Sequence, residues 1–202
     1  GYGLGVGRGG VGDEGGAVVG EPTEAGLVVL GAKMGIDARE SRRAYPRIAE
    51  VPFDSAYKFM ATVHTAPVTD GDDIESVVML VKGAPDVLLE RCTWAVVDGE
   101  AVPLDDQRDA IIAANAELGE QGLRVMAFAV RIEDLAQREA IVADPMAAVT
   151  ELAFVALVGI IDPLRPSAVD AIRAAQGAGI DVRMITGDHA TTARAIASEL
   201  GL

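Results

Sequence analysis

The sequence contains very little cysteine and histidine, which limits both disulfides and metal sites. Cys92 is the single cysteine in the 202 residues, so an internal disulfide cannot form. His64 and His189 lie far apart and have no cysteine partners, which argues against a zinc site. We therefore predict no metal site in this chain and expect Cys92 to be a small buried core residue.

The chain also lacks long apolar runs and an excess of positive charge. No apolar run approaches the ~20 residues that span a bilayer, and no signal peptide is recognisable, so we expect the chain as given to be soluble. The net charge of −14 argues against nucleic-acid binding, because phosphate contact needs a basic surface. Half of the residues are hydrophobic, and the length suits one domain and part of another.

Glycine is concentrated at the N-terminus. Gly5, Gly7 and Gly10 match a G-x-G-x-x-G pattern, but no strand precedes this pattern and no periodic helix begins within it. We therefore interpret residues 1–18 as a flexible Gly-rich tail and not as a dinucleotide-binding loop.

Residues 19–161 alternate between short strands and helices. Helices are predicted at 21–34, 37–43, 86–91, 105–120 and 134–142. Strands are predicted at 48–53, 58–66, 76–81, 125–130 and 151–161, with a hairpin over 93–102. Strands outnumber helices and several are joined as hairpins. The fold class is therefore α/β, with a mixed, mainly antiparallel sheet and packed helices.

Beyond residue 161 the pattern changes to that of a parallel α/β sheet. Asp162-Pro163 stops an apolar run, and a helix follows with Ser167 as its predicted N-cap. A buried strand is predicted at 180–185 and a second helix at 189–200. Polar residues just past such a strand face ligands, which makes Thr186, Gly187 and Asp188 candidate anion-binding residues. The alternative is a simple tight turn, which glycine and aspartate also favour.

Several residues of the first part suit a nucleotide. Phe53 offers a ring for stacking on a base, although its alternation with Val51 along a strand favours a core position. Lys82 ends a strand before Gly83-Ala84, two small residues that let a ligand approach the backbone; the alternative is an ordinary exposed lysine.

Three further charged residues fit the same ligand. Lys58 is a weaker case of the same kind as Lys82. Glu24 would accept a hydrogen bond from the adenine amino group, but an acid in a first helical turn needs no further explanation. Arg124 would contact phosphates, and its alternative is a surface ion pair.

Six motifs resemble the P-type cation-transporting ATPases, near their calcium-pump-like type II branch. Asp162-Pro-Leu-Arg165-Pro resembles the hinge between the nucleotide-binding and phosphorylation domains. Met184-Ile-Thr-Gly-Asp188-His resembles the loop that contacts the transferred phosphoryl group. The other four resemble motifs of the nucleotide-binding domain: Gly20-Glu-Pro-Thr-Glu24, Val51-Pro-Phe-Asp-Ser55, Lys82-Gly-Ala-Pro85 and Gly122-Leu-Arg124.

This resemblance implies a division of the chain and roles for its residues. Residues 19–161 would be the nucleotide-binding domain; residues 162–202 would be the hinge, with Asp162 and Arg165, and part of a parallel, haloacid-dehalogenase-like (Rossmann-like) phosphorylation domain. The phosphoryl-side loop would be Thr186, Gly187 and Asp188. The implied ATP-binding residues are Glu24, Phe53, Lys58, Lys82, Gly83, Ala84 and Arg124.

The sequence lacks two motifs with which the family carries out phosphoryl transfer. It contains neither the Asp-Lys-Thr-Gly-Thr phosphoacceptor motif nor the later magnesium-binding loop. We therefore expect a fragment that binds ATP without turnover. The longer parent would be an integral membrane protein with this part on the cytoplasmic side. It would use ATP and Mg²⁺, form an aspartyl-phosphate and move a cation, with its membrane, actuator and remaining phosphorylation-domain segments as partners.

Two other functions are left open by the sequence. One is a fragment of a haloacid-dehalogenase-like phosphatase, and the other is a free-standing nucleotide-binding regulatory module. The sequence does not identify the ion, since the family's ion ligands lie in membrane helices: calcium, magnesium, sodium and protons are all compatible with it.

Overall fold

The computed structural model describes residues 22–66, 76–160, 166–185 and 190–202. Within these ranges, seven strands form one sheet: β1 (Arg47–Asp54), β2 (Phe59–Ala66), β3 (Ser76–Gly83), β4 (Cys92–Val97), β5 (Glu100–Pro103), β6 (Arg124–Asp134) and β7 (Leu152–Ile160). The helices are α1 (Pro22–Lys33), α2 (Ala38–Ala44), α3 (Pro85–Leu89), α4 (Arg108–Glu120), α5 (Arg138–Ala143), α6 (Pro166–Gly177) and α7 (Ala190–Leu200). Short 3-10 helices precede α4 and α5, at Leu104–Asp106 and Leu135–Gln137.

The strands lie in the order β1-β2-β3-β6-β7-β4-β5. Every neighbouring pair is antiparallel except β4 and β7, which run parallel. The predicted hairpin is the β4–β5 pair, joined through Asp98 and Gly99, both at positive φ. The predicted mixed, mainly antiparallel sheet with packed helices is therefore confirmed.

One face of the sheet carries the core. Phe59, Ala61 and Val63 of β2 are buried at every second position, as alternation along a strand requires. Helices α3 and α5 cover this face with buried leucine and isoleucine side chains. Cys92 belongs to this core, as expected, and burial raises the pKa of its thiol to about 12.

The opposite face of the sheet is covered in part by α1. A cavity of about 640 Å³ separates that helix from the outward side chains of the sheet, among them Leu80, Phe128 and Val130. These residues alternate along β3 and β6 with the buried ones, so the helix and the core lie on opposite sides of the sheet. Among the described helices, none is both long enough and apolar enough to cross a bilayer.

The predicted strand at 180–185 is wrong. These residues form no strand, and the side chains of Ile180 and Ile185 are 59% and 97% exposed. A parallel strand needs hydrogen-bonded neighbours and cover on both faces, and the described residues supply neither beside this segment. The glycine-rich residues 1–18 lie outside the described residues.

Ser167 is not a helix N-cap. Helix α6 begins at Pro166, so Ser167 lies inside the first turn. Proline suits a first helical position because its φ is already helical and its missing N–H would have no intrahelical partner. The helix ends at Gly177, and Gly179 follows at a φ of +77°, as the glycine pattern predicted.

Candidate functional site

A cavity of about 290 Å³ lies at one end of the sheet, between the beginning of α1 and the ends of β1, β2, β3 and β6. Residues distant in sequence meet there because β2, β3 and β6 are neighbours in register: Met60 is opposite Lys82, and Lys82 is opposite Phe128. The cavity is lined by all seven residues that the sequence singled out for the nucleotide: Glu24, Phe53, Lys58, Lys82, Gly83, Ala84 and Arg124.

Phe53 presents its ring to this cavity and to solvent. Its side chain is 62% exposed, whereas Val51, two residues earlier on the same strand, is 4% exposed. The core position that alternation favoured for Phe53 is therefore wrong. The pairing of β1 with β2 shifts register between Val51 and Asp54, and such an irregularity re-aims the side chains that follow it.

Lys82 and Glu24 form an ion pair at the cavity wall. The Lys82 Nζ donates a hydrogen bond to Glu24 Oε1 and so links β3 to the first turn of α1. The lysine side chain is only 18% exposed, so the alternative of an ordinary exposed lysine is wrong. Glu24 is both a first-turn acid and the partner of Lys82, and its side chain remains 54% exposed.

Gly83 and Lys58 hold the turn after β1 against the end of β3. A Cβ built on Gly83 would lie 2.6 Å from the Cβ of Phe59 and 2.7 Å from the carbonyl oxygen of Lys58, so only glycine fits there. Lys58 adopts a φ of +55°, and its carbonyl accepts a hydrogen bond from Ala84 N–H at 3.0 Å. The backbone of Lys82-Gly83-Ala84 is therefore fixed by the neighbouring turn.

Arg124 opens β6 directly after Gly122 and Leu123. In the described part of the chain, no carboxylate lies within 4 Å of its guanidinium, so the alternative of an ion pair has no support there. Among the described residues, the cavity is therefore lined by three cationic side chains and one carboxylate, that of Glu24, in a chain with a net charge of −14.

Four lining residues were not predicted. They are Thr23, Met60, Val125 and Met126. Thr23 and the residues after Arg124 neighbour predicted positions in sequence, but Met60 reaches the site only through its register opposite Lys82. The three apolar ones add uncharged surface to the cavity that Phe53 also lines. The cavity therefore offers an apolar compartment with an exposed ring, one acceptor and several cations, which suits a flat base bearing a polyanionic tail.

The larger cavity under α1 adjoins this one. Glu24, Met60 and Lys82 line both, so the Glu24–Lys82 pair lies where the two cavities meet. Any movement of α1 would therefore alter the smaller cavity as well.

The predicted phosphoryl-side and hinge residues are not part of this geometry. Thr186, Gly187, Asp188, Asp162 and Arg165 all lie outside the described residues. Among residues 22–66, 76–160, 166–185 and 190–202, no group of three His, Cys, Asp or Glu side chains could hold a metal ion.

The chain is similar in sequence to known proteins. A family model described as "P-type ATPase, cytoplasmic domain N" matches residues 8–167. A cation-transporting ATPase pma1 of Synechocystis is 41% identical over 92% of the chain, and a calcium-transporting ATPase 1 of Lactococcus lactis is 36% identical over 93%. A sodium/potassium-transporting ATPase subunit alpha-1 of Oreochromis mossambicus is 38% identical over 92%. The matched segments make up 19%, 20% and 18% of these relatives, so the chain spans about a fifth of their length.

Proposed function

The chain belongs to the family of the P-type ATPase cytoplasmic domain N, and from that premise we propose that it binds ATP as the nucleotide-binding part of a cation-transporting pump. The observation that carries the proposal is the convergence of Glu24, Phe53, Lys58, Lys82, Gly83, Ala84 and Arg124 on one cavity. These residues come from a helix, a turn and three strands that are separated by up to 100 positions in sequence (24 to 124).

The properties of the lining support a specific orientation of ATP. The adenine would stack on Phe53, whose exposed ring has a free face, and such stacking is worth about 1–3 kcal/mol. Glu24 would accept a hydrogen bond from the adenine amino group, and its ion-pair partner Lys82 would support the base beside it. Arg124 would contact the phosphates with its forked guanidinium, and Lys58 would add a second positive charge.

The backbone at the end of β3 is fixed before the nucleotide binds. Gly83 packs against Phe59 and the Lys58 carbonyl, and Ala84 N–H donates a hydrogen bond to that carbonyl. A ligand therefore meets a backbone that needs no rearrangement, which reduces the ordering cost of binding.

In the longer parent, we propose that bound ATP is hydrolysed through an aspartyl-phosphate and that the energy moves a cation across a membrane. The parent would be an integral membrane protein of the calcium-pump-like type II branch, with this part on its cytoplasmic side. Its membrane, actuator and remaining phosphorylation segments would be the partners of this chain. The transported ion is not assigned, since the relatives named above include a calcium-transporting and a sodium/potassium-transporting ATPase.

The remaining residues of the proposal belong to the second part of the chain. Residues 162–202 would supply the hinge, through Asp162 and Arg165, and the first units of a haloacid-dehalogenase-like domain. Thr186, Gly187 and Asp188 would contact the transferred phosphoryl group there. No catalytic step is assigned to this chain, because its sequence contains no Asp-Lys-Thr-Gly-Thr phosphoacceptor motif. We expect ATP to be bound without turnover, and no labelled γ-phosphate should remain on the denatured protein.

The proposal is tested by the ATP affinity of the chain and two variants. We expect binding in the millimolar range, about −4 kcal/mol, because the phosphate side of the site is incomplete. Phe53→Ala should weaken binding about tenfold or more through the loss of stacking. Ile132→Ala is the matched control, since Ile132 is an equally exposed apolar side chain (65%) outside the cavity. The absence of binding by the unmodified chain, or equal losses in both variants, would refute the site.

A further inference from the structure

The turn between β1 and β2 carries Lys58 of the proposed ATP site, begins two residues after Phe53, and is closed by a side chain outside the cavity. The hydroxyl of Tyr57 donates a hydrogen bond to the carbonyl oxygen of Pro52 at 2.5 Å. That carbonyl belongs to the peptide that joins Pro52 to Phe53. The bond therefore fixes the orientation of the peptide from which the Phe53 side chain departs.

Tyr57 is itself anchored to the core. Its ring lies 4.8 Å from that of Phe59, centroid to centroid, with the ring planes inclined by 50°. Phe59 is completely buried, and the guanidinium of Arg91 lies 4.7 Å from the centroid of its ring. Tyr57 thus connects a completely buried core residue to the backbone beside Phe53.

Other contacts define the turn's conformation. Lys58 N–H donates to the carbonyl of Asp54 at 2.7 Å, and Ala56 N–H donates to Asp54 Oδ1 at 2.7 Å. These bonds shape the residues between Asp54 and Lys58 but do not reach Phe53. Since Phe53 is largely exposed and lies within the register shift of β1, neither burial nor regular strand pairing fixes its direction. The Tyr57 hydroxyl supplies the missing constraint.

We propose that Tyr57 is a positioning residue for the nucleotide: it orients Phe53 for stacking on the base without contacting the ligand. This inference rests on the proposed ATP site. Tyr57 does not line the cavity, so its effect on binding must pass through the turn. Arg124 lies on a different strand, and the backbone of Lys58 keeps its own hydrogen bonds to Asp54 and Ala84, so only the base end of the site should depend on Tyr57.

The test is Tyr57→Phe in the 202-residue chain, which removes one hydroxyl and keeps the ring. We expect ATP affinity to fall about threefold to tenfold, the range that corresponds to one net hydrogen bond. Affinity for inorganic tripolyphosphate, which has no base, should stay unchanged. Tyr45→Phe is the matched control, because Tyr45 carries the same hydroxyl away from the cavity and should leave both affinities unchanged.

A double-mutant cycle separates positioning from a general structural role. In a Phe53→Ala background, Tyr57→Phe should cause no further loss of ATP affinity, because the ring it orients is gone. An equal loss in both backgrounds, or a parallel loss for tripolyphosphate, would overturn the proposal. If the unmodified chain binds ATP and Tyr57→Phe binds it equally well, the proposal for Tyr57 fails while the proposed ATP site is unaffected. If the unmodified chain binds no ATP, both proposals fail together.

Discussion

The apolar side chains of residues 22–160 and those of residues 166–202 differ in how far they are buried. In the first part, residues such as Phe59, Met79 and Leu152 are almost completely removed from solvent in one core. In the second part, no described side chain is buried to that degree, and Ile185 is 97% exposed. Among the described residues, the sheet and its helices cover the apolar side chains of the first part, whereas no strand lies beside residues 180–185.

The comparison shows how the fold and the candidate site depend on each other. The ATP-site residues of β3 and β6 lie on strands with hydrogen-bonded neighbours on both sides, and Phe53 lies on β1, which pairs with β2. The predicted phosphoryl-side loop follows a segment that has no such neighbours among the described residues. We therefore expect nucleotide binding by this chain to depend on the first part alone.

The largest expected effect compares one core residue with its exposed counterpart. Leu152→Ala removes a completely buried side chain from β7 and should lower the free energy of unfolding by about 2–5 kcal/mol. Ile185→Ala should change it by less than about 0.5 kcal/mol, because the side chain is already in solvent. Urea unfolding of both variants measures this. Comparable losses would show that the second part has a core of its own.

This contrast also defines what the sequence could predict. Strand β2 was predictable because Phe59, Ala61 and Val63 alternate with less buried residues and both neighbouring strands exist. The segment 180–185 also alternates apolar and charged residues but has no partner strand among the described residues. A local pattern specifies what a segment can form, whereas the presence of neighbours is a property of the whole chain.

The candidate site was predictable as a set of residues but not as a geometry. Alternation with Val51 favoured a core position for Phe53, and only the register shift in the β1–β2 pairing reveals why its ring is exposed. The Glu24–Lys82 ion pair joins residues 58 positions apart, and local patterns contain no information about such a contact. Met60 was missed for the same reason, since strand register brings it to the site.

A smaller effect is expected when one charge is removed from each part. Lys82→Ala should weaken ATP binding about tenfold, since it removes a half-buried cation and releases Glu24 from its partner. Asp188→Ala should change the affinity less than about twofold, because the base end of the site dominates binding in this chain. Calorimetric titration of both variants measures the difference. A larger loss for Asp188→Ala would reverse the assignment of nucleotide binding to the first part.

The smallest expected effect concerns the Cys92 thiol in the core of the first part, whose ionisation changes the free energy of unfolding only at high pH. Burial raises the pKa of Cys92 from 9.0 to about 12, so the folded protein holds the proton more tightly than the unfolded chain does. Its contribution to stability is therefore complete below pH 9 and is lost progressively as the pH rises from about 9 to about 12. Comparing the pH dependence of unfolding with that of Cys92→Ala isolates this contribution. Identical slopes above pH 9 would mean that the thiol ionises as freely in the folded protein.

The central claim is that the cavity lined by Glu24, Phe53 and Lys82 is an ATP site. The most direct test is to titrate the whole chain with ATP and to follow the backbone amide shifts. We predict saturable shifts at Phe53, at Lys82-Gly83-Ala84 and at Arg124, with little change over residues 166–185 and 190–202. Shifts confined to the second part, or no shifts around Phe53 and Lys82 at saturating ATP, would contradict the account.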